Sequence, residues 1–213
     1  MSDFDGTIAD NHRSMSEAMN DVLRHFGKEP LPESEWHRFY RPDYMEFYRE
    51  VGVCGSEETL REILLQKQLA RPVPPIFEGA EDTLRWLSDR HVVVAIVSMT
   101  SSFLVRRFME FYGLDRYVRE IHCGFNYLRK VEAAADLIRR HTSNPSEAVY
   151  IDDSDYFIRE VKDKTGCVTI AFTRGYHSKF DLQRAHPDFM INSHGSVQRY
   201  IHFLNRKQAG GLK

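Results

Sequence analysis

Val92-Val93-Val94-Ala95-Ile96-Val97 is the stretch that decides the fold of this 213-residue chain. It is a continuous apolar run dominated by β-branched residues, with no polar residue between them. Such a run is typical of a strand that is buried on both faces of a parallel sheet. It is also far too short to cross a bilayer, which needs about 20 apolar residues in a helix. We therefore expect a central strand here, with helices covering both faces of its sheet.

The segments around this run alternate between helix and strand patterns. Helical periodicity is found at 79–89, 102–112, 131–141, 156–164 and 196–204. Strand-like segments lie at 118–123, 148–151, 167–172 and 189–191. This alternation predicts an α/β fold with a doubly wound, mainly parallel, Rossmann-like sheet. The residues from Asn205 to Lys213 are expected to form a loose tail.

A helical insertion interrupts this pattern near the N-terminus. Between residues 13 and 72 the periodicity is helical and no convincing strand is found. Ser14 and Glu17 have the spacing of a capping box, which predicts a helix start at Ser14. Prolines at 72, 74 and 75 mark the return to the α/β pattern. We therefore predict a core domain of residues 1–12 and 75–213 and a small helical cap domain of residues 13–74.

Composition narrows the classes of function. Hydrophobic residues make up 42% and charged residues 28% of the chain, with a net charge of −2, which gives no reason to expect a nucleic-acid or membrane partner. The three cysteines have no zinc-site spacing, and free thiols in a reducing cytoplasm are the simplest account. A cytoplasmic protein is expected, as a monomer or a homodimer.

The aromatic residues between Trp36 and Tyr48 are expected to pack between cap helices, although Arg38 or Arg41 could reach a ligand.

The first candidate site residues are Asp3 and Asp5, which stand two positions apart. In an extended segment both side chains would project on the same side. Two carboxylates held in this way can divide the work, since one can attack an electrophile while the other transfers a proton. Gly6 and Thr7 follow, and they allow a tight turn whose backbone amides face the site.

Polar residues also follow the predicted strands, where an open α/β sheet binds its ligands. Ser98 and Met99 come directly after the run 92–97 and precede a helix, an arrangement suited to binding phosphate. Lys130 opens the helix 131–141 and supplies a compact positive charge for phosphoryl oxygens. Asp152 and Asp153 end the strand 148–151, and adjacent carboxylates at a strand end suit Mg²⁺.

Four of these segments resemble the motifs of the haloacid dehalogenase (HAD) superfamily, most of whose members are phosphatases. They are DFDGTIAD at 3–10, IVSMT at 96–100, KVEAAADLI at 130–138 and YIDDS at 150–154, in the family's order and spacing. The insertion after the first motif is similar to the helical cap of the phosphoglycolate phosphatase and β-phosphoglucomutase branch. The resemblance covers nearly the whole chain.

The resemblance implies a role for each residue. Asp3 would attack phosphorus and carry an aspartyl-phosphate, while Asp5 would protonate the leaving oxygen and then activate water. Ser98 and Lys130 would hold the phosphoryl oxygens of a small phosphorylated metabolite. Asp3, the backbone carbonyl of Asp5, and Asp152 or Asp153 would bind Mg²⁺.

Three positions depart from the family's pattern. Phe157 stands where many members have a further aspartate, and Met15 stands where mutases of this branch have a histidine. The latter makes a phosphomutase the weaker alternative to a phosphatase. Only Met1 and Ser2 precede Asp3, although the family usually has a longer first strand. The strand is therefore minimal, or the numbering begins after part of the natural chain, and a non-catalytic HAD-like module remains a further alternative.

Overall fold

The computed structural model describes residues 1–124 and 126–210. Its strands are β1 (Ala95–Val97), β2 (Glu120–His122), β3 (Val149–Asp152), β4 (Val168–Phe172) and β5 (Phe189–Ile191). β1 pairs with β2, and β3, β4 and β5 follow one another, with every pairing parallel. The predicted α/β class and parallel sheet are confirmed.

The N-terminal residues join the two groups of strands into one sheet. Ser2 forms parallel bridges to both Ile96 of β1 and Ile151 of β3. Its N–H donates to Ala95 and its carbonyl accepts from Val97, while the N–H of Asp3 donates to Ile151 at 2.8 Å. The backbone of Ser2 and Asp3 thus links β1 to β3 at the end of the sheet where Asp3 lies.

Beside Met1, at the opposite end of this short strand, lies an apolar cavity of about 430 Å³. It separates the beginnings of β1 and β3, and Leu84, Val94 and Leu137 are among its lining residues. Val92 and Val93 line it too, but they lie outside β1 and are 41% and 45% exposed. The expectation that all of 92–97 forms a buried strand is thus wrong for Val92 and Val93, whereas Val94 is buried but lies just outside β1, which begins at Ala95, the first residue of the run that bonds to Ser2.

Helices cover the sheet on both faces. In chain order the helices are α1 (His12–His25), α2 (Tyr44–Glu50), α3 (Glu57–Leu69), α4 (Ala80–Ser88), α5 (Ser102–Phe111), α6 (Tyr127–His141), α7 (Asp155–Thr165), α8 (Lys179–Arg184) and α9 (Gly195–Gly210). One apolar cluster joins α6, α7 and α8 to β3 and β4, and another joins α4 and α9 to β3, β4 and β5. The sheet is therefore doubly wound, as predicted.

The first three helices form a cap with its own core. Phe39, Phe47, Tyr48 and Leu60 are almost completely buried in one cluster that includes α1 and α3. The aromatic segment thus packs inside the cap, as expected. The division into residues 1–12 with 75–213 and residues 13–74 remains a prediction about independent domains.

Two expected boundaries are wrong. Helix α1 begins at His12 and not at Ser14, whose hydroxyl instead donates to the Asn11 carbonyl at 3.1 Å. Helix α9 continues to Gly210, so the expected tail from Asn205 is helical up to that residue, and residues 211–213 lie outside the described part. Among the described helices, none has the length and apolar character that a bilayer crossing requires.

Candidate active site

Three carboxylates from two neighbouring segments converge at the carboxyl end of the sheet. Asp3 follows the Ser2 bridges, and Asp152 and Asp153 end β3. One oxygen from each lies within 4.8 Å of the others, and all three residues are buried. Since adjacent parallel strands end at the same edge, the topology brings these side chains together.

Lys130 lies among these carboxylates. Its residue is 2% exposed, and its Nζ lies 2.8 Å from Asp3 and 2.9 Å from Asp152. Burial alone would lower the pKa of this ammonium, but attraction to Asp152 and Asp3 outweighs burial and raises it. The ammonium also lies 4.0 Å from the centre of the Phe157 ring, a cation–π contact. Lys130 is therefore a permanent positive charge beside Asp3.

The two adjacent aspartates differ in what holds them. Asp152 is fully buried and accepts hydrogen bonds from the Lys130 ammonium, the Tyr150 hydroxyl at 2.5 Å and the Ser154 N–H at 2.8 Å. Asp153 accepts from the Thr7 hydroxyl at 3.1 Å and the Tyr176 N–H at 2.6 Å, and it lines a large cavity. Burial, followed by the charge of Asp152, raises the pKa of Asp153 to about 7. Asp152 thus anchors Lys130, while Asp153 faces the space where a ligand would bind.

Asp5 is held through both of its carboxylate oxygens. Oδ1 accepts from the Asn11 amide at 2.6 Å, and Oδ2 accepts from the hydroxyls of Thr100 at 2.5 Å and Ser98 at 3.2 Å. Burial raises the pKa of Asp5, and the hydrogen bonds from Thr100 and Asn11 act against that rise. A carboxyl group with a raised pKa and a fixed orientation suits proton transfer.

The pKa of the Asp3 carboxyl group is raised as well. Its burial is the largest cause, the Lys130 charge opposes it, and the neighbouring carboxylates add to it. With Asp3, Asp152 and Asp153 all ionised, the cluster would hold more negative charge than the Lys130 ammonium offsets. A divalent cation bound among these oxygens would correct that excess, and carboxylate oxygens are the ligands that Mg²⁺ prefers.

The residues predicted to bind phosphate are divided between two positions. Ser98, Met99 and Lys130 lie near Asp3 and Asp5, with Met99 and Lys130 lining the cavity. Gly6 and Thr7 lie behind Asp153, where the Gly6 N–H donates to the Ala9 carbonyl and to the Asn11 side chain. A Cβ at Gly6 would collide with the Asp153 carboxylate, so the absence of a side chain lets the backbone approach. In this geometry Gly6 leaves room for the Asp153 carboxylate, and Thr7 donates a hydrogen bond to it.

The cavity above these residues has a volume of about 450 Å³. Its floor includes Asp3, Asp5, Lys130 and Asp153, and its opposite wall comes from the cap and includes Met19, Phe39, Tyr40, Arg41, Tyr44, Arg61, Leu64 and Leu65. Arg41 thus faces the cavity and also pairs with Glu50 at 2.9 Å. Arg38 is absent from the lining and pairs with Glu35 and Glu50.

Sequence reasoning missed three residues of this site. Thr100 donates to Asp5, Asn11 donates to Asp5, and Tyr176 donates its hydroxyl to Asn11 at 2.6 Å. The signal for Thr100 was its position two residues after Ser98. Asn11 could have been noticed because asparagine is a favoured helix cap, placed here at the junction between core and cap.

The chain is similar to known proteins along most of its length. A sequence model of the haloacid dehalogenase-like hydrolases matches residues 1–171. The chain is 24% identical over 207 residues to a phosphoglycolate phosphatase of Synechococcus elongatus, which covers 96% of this chain and 97% of the relative.

Solved structures show the same fold. A hydrolase of the haloacid dehalogenase-like family from Streptococcus pneumoniae superposes with a TM-score of 0.77 at 18% identity, covering 93% of this chain and 95% of that protein. A protein of Haemophilus somnus, described as a predicted phosphoglycolate phosphatase, also gives 0.77 at 15% identity, with the same two coverages.

Proposed function

Because the chain belongs to the haloacid dehalogenase-like hydrolases, we propose that it is a magnesium-dependent phosphatase that forms an aspartyl-phosphate on Asp3. The observation that carries this proposal is the floor of the cavity. There a buried carboxylate, Asp3, lies 2.8 Å from a lysine ammonium and shares the cavity with a second, separately held carboxylate, Asp5. One group can attack phosphorus while the other handles a proton.

The proposed reaction has two steps, in which the aspartyl-phosphate is formed and then hydrolysed. First, an oxygen of Asp3 bonds to phosphorus, the bond from phosphorus to the leaving oxygen breaks, and protonated Asp5 gives that oxygen its proton. Second, a water oxygen bonds to phosphorus while Asp5 takes a proton from the water. The bond between Asp3 and phosphorus then breaks, which releases inorganic phosphate and restores both carboxyl groups.

Lys130 and two hydroxyls would hold the phosphoryl oxygens. Lys130 is already beside Asp3, and the hydroxyls of Ser98 and Thr100 converge on Asp5 from the adjacent strand end. A fixed cation stabilises charge that spreads over phosphoryl oxygens without reorganisation, whereas each hydroxyl has a single proton and would turn it from Asp5 to a phosphoryl oxygen.

The donor set fits magnesium. Asp3, Asp153 and the backbone carbonyl of Asp5 would hold the ion, because Asp153 faces the cavity whereas the oxygens of Asp152 accept from Lys130, Tyr150 and Ser154. When bound, Mg²⁺ offsets the repulsion between an anionic nucleophile and an anionic substrate.

The substrate would be a small-molecule phosphate monoester. The cap closes one side of the 450 Å³ cavity, which suits a metabolite better than a phosphoprotein. The Synechococcus relative is named for phosphoglycolate, so that compound is the first to test.

The test is phosphate release from p-nitrophenyl phosphate and a panel of metabolite phosphates, including phosphoglycolate. Release is expected with Mg²⁺ and is expected to stop with excess EDTA. Asp3→Asn should lower the rate by at least about a thousandfold, as expected for loss of the nucleophile. Folded wild-type protein that hydrolyses no substrate would sink the phosphatase proposal. Undiminished release by Asp3→Asn would sink the assignment of the nucleophile.

A further inference from the structure

We propose that Asn11, held by Tyr176, is a positioning residue that orients the Asp5 carboxyl group toward the leaving oxygen. The inference rests on the proposed phosphatase function and concerns residues that lie outside the four motifs. Asn11 is 5% exposed, and its Nδ2 is 2.6 Å from Oδ1 of Asp5.

The orientation of the Asn11 amide is fixed by its other partners. Its oxygen accepts two hydrogen bonds, from the Gly6 N–H at 3.2 Å and the Tyr176 hydroxyl at 2.6 Å. Because the Gly6 N–H can only donate and an ionised Asp5 carboxylate can only accept, the amide oxygen faces Gly6 and the NH₂ group faces Asp5, and the Tyr176 hydroxyl then donates to the oxygen. The amide thus has a single orientation that satisfies all of its neighbours.

The Asn11 side chain contacts Asp5 and does not cap α1, although its position at the start of that helix predicts a cap. It is the N-cap of α1, and asparagine is among the best residues there, yet its side chain makes no capping hydrogen bond. Giving up a cap destabilises a helix. An amide diverted from its usual local partner to a buried carboxylate indicates that the contact with Asp5 is what matters at this position.

Tyr176 connects this contact to the rest of the site. Its backbone N–H donates to Asp153 at 2.6 Å, and its ring stacks on the ring of Tyr40 from the cap, with centroids 4.1 Å apart. The Tyr40 hydroxyl in turn donates to the His12 carbonyl at 3.0 Å. Tyr176 is therefore fixed by both the core and the cap, and it holds the oxygen of Asn11 in place.

The consequence can be measured through the leaving group. An alkyl alcohol leaves poorly without a proton, whereas p-nitrophenolate leaves readily as an anion. Misplacing Asp5 should therefore slow the transfer from an alkyl phosphate and leave transfer from p-nitrophenyl phosphate nearly unchanged. The parameter to compare is kcat/KM, because it reports the first, leaving-group-dependent step for both substrates.

The experiment measures kcat/KM of wild type and variants on glycerol 2-phosphate and p-nitrophenyl phosphate, with saturating Mg²⁺. Asn11→Ala is expected to lower the alkyl phosphate value by about 10–100-fold, a part of the typical 10²–10⁴-fold effect of a general acid. The p-nitrophenyl phosphate value should fall by less than about threefold. Asp5→Asn serves as the reference for complete loss of the proton donor.

Two further variants separate positioning from folding. Asn20 is also 5% exposed and makes two hydrogen bonds, to the backbone of Leu31 within the cap, so Asn20→Ala removes the same groups away from the site. This variant should change kcat/KM by equal factors for the two substrates. Tyr176→Phe keeps the stacked ring and removes only the hydroxyl, and it should show the selective loss at about threefold to tenfold. This variant decides the matter if Asn11→Ala does not fold.

Equal losses on both substrates for Asn11→Ala and Tyr176→Phe would overturn the positioning role while the phosphatase proposal stood. A wild-type protein without phosphatase activity, or full activity in Asp3→Asn, would instead overturn the function on which the role rests.

Discussion

The floor and the cap wall of the 450 Å³ cavity are built in opposite ways. On the floor, the carboxylates of Asp3, Asp5 and Asp153 all have hydrogen-bonding or ion-pair partners, and so does Asp152, which anchors Lys130. On the wall, apolar and aromatic side chains dominate, and the hydroxyl of Tyr44 is buried without a hydrogen-bond partner among the described residues.

Because of this difference, the floor and the wall suit separate tasks: the floor suits the reaction, and the wall suits the selection of a substrate. A floor in which each polar group is fixed by its neighbours can serve one reaction, because its donors and charges need no rearrangement. A wall of adaptable apolar surface selects by shape and by burial, and it changes readily without affecting the chemistry. In the proposed function the floor would therefore carry the phosphoryl transfer, whereas the wall would select the substrate.

The largest effect is expected from removing the positive charge of the floor. Lys130→Met leaves Asp3 and Asp152 buried without their cation, and losing one partner of a buried ion pair costs about 3–5 kcal/mol. The free energy of unfolding should fall by this amount in urea denaturation, and Mg²⁺ should recover part of it. Lys162→Met is the matched control, since its half-exposed pair with Asp188 should contribute no more than about 1 kcal/mol. Similar losses of unfolding free energy in Lys130→Met and Lys162→Met would contradict the expected difference between the two ion pairs.

A smaller effect is expected from crowding the floor. Gly6→Ala places a Cβ against the Asp153 carboxylate at a φ of +69°, so Asp153 must move. Phosphatase activity should fall about a hundredfold, which corresponds to about 2.7 kcal/mol. Gly27→Ala has nearly the same φ, +67°, with nothing near its Cβ, so it should cost about 1 kcal/mol of stability with activity retained. Retention of full activity in Gly6→Ala would show that Asp153 need not be held where it is.

The smallest effect is expected on the wall. Tyr44→Phe removes a hydroxyl that has no hydrogen-bond partner in the part of the chain that the structure describes, so the melting temperature should stay the same or rise slightly. Tyr150→Phe removes a buried hydroxyl that donates to Asp152, and it should cost about 1–3 kcal/mol. Thermal unfolding of the two variants side by side tests whether floor and wall differ as described. A Tyr44→Phe variant as destabilised as Tyr150→Phe would remove the distinction.

Much of the fold was predictable because hydrophobic periodicity is a local signal. The order of strands and helices after residue 79 follows the predicted alternation except for α8, which was not predicted, and boundaries mostly differ by a few residues. The errors have tertiary causes. Val92 and Val93 have the composition of a strand, but the pairing with Ser2 does not reach them. Ser14 has the spacing of a cap, but α1 begins two residues earlier, at the junction with the core.

The sequence by itself determined the α/β class, the helical insertion and the set of residues that carry the proposed chemistry. It could do so because strand ends and short motifs place Asp3, Asp5, Ser98, Lys130 and the Asp152–Asp153 pair at one edge of a parallel sheet. Only the tertiary structure decided how these residues divide their tasks. Asp152 and Asp153 are neighbours of the same type, and they differ because Lys130, Tyr150 and Ser154 surround one while Thr7 and Tyr176 hold the other beside the cavity. Asn11 and Tyr176 lie 165 positions apart, so no local pattern could have joined them.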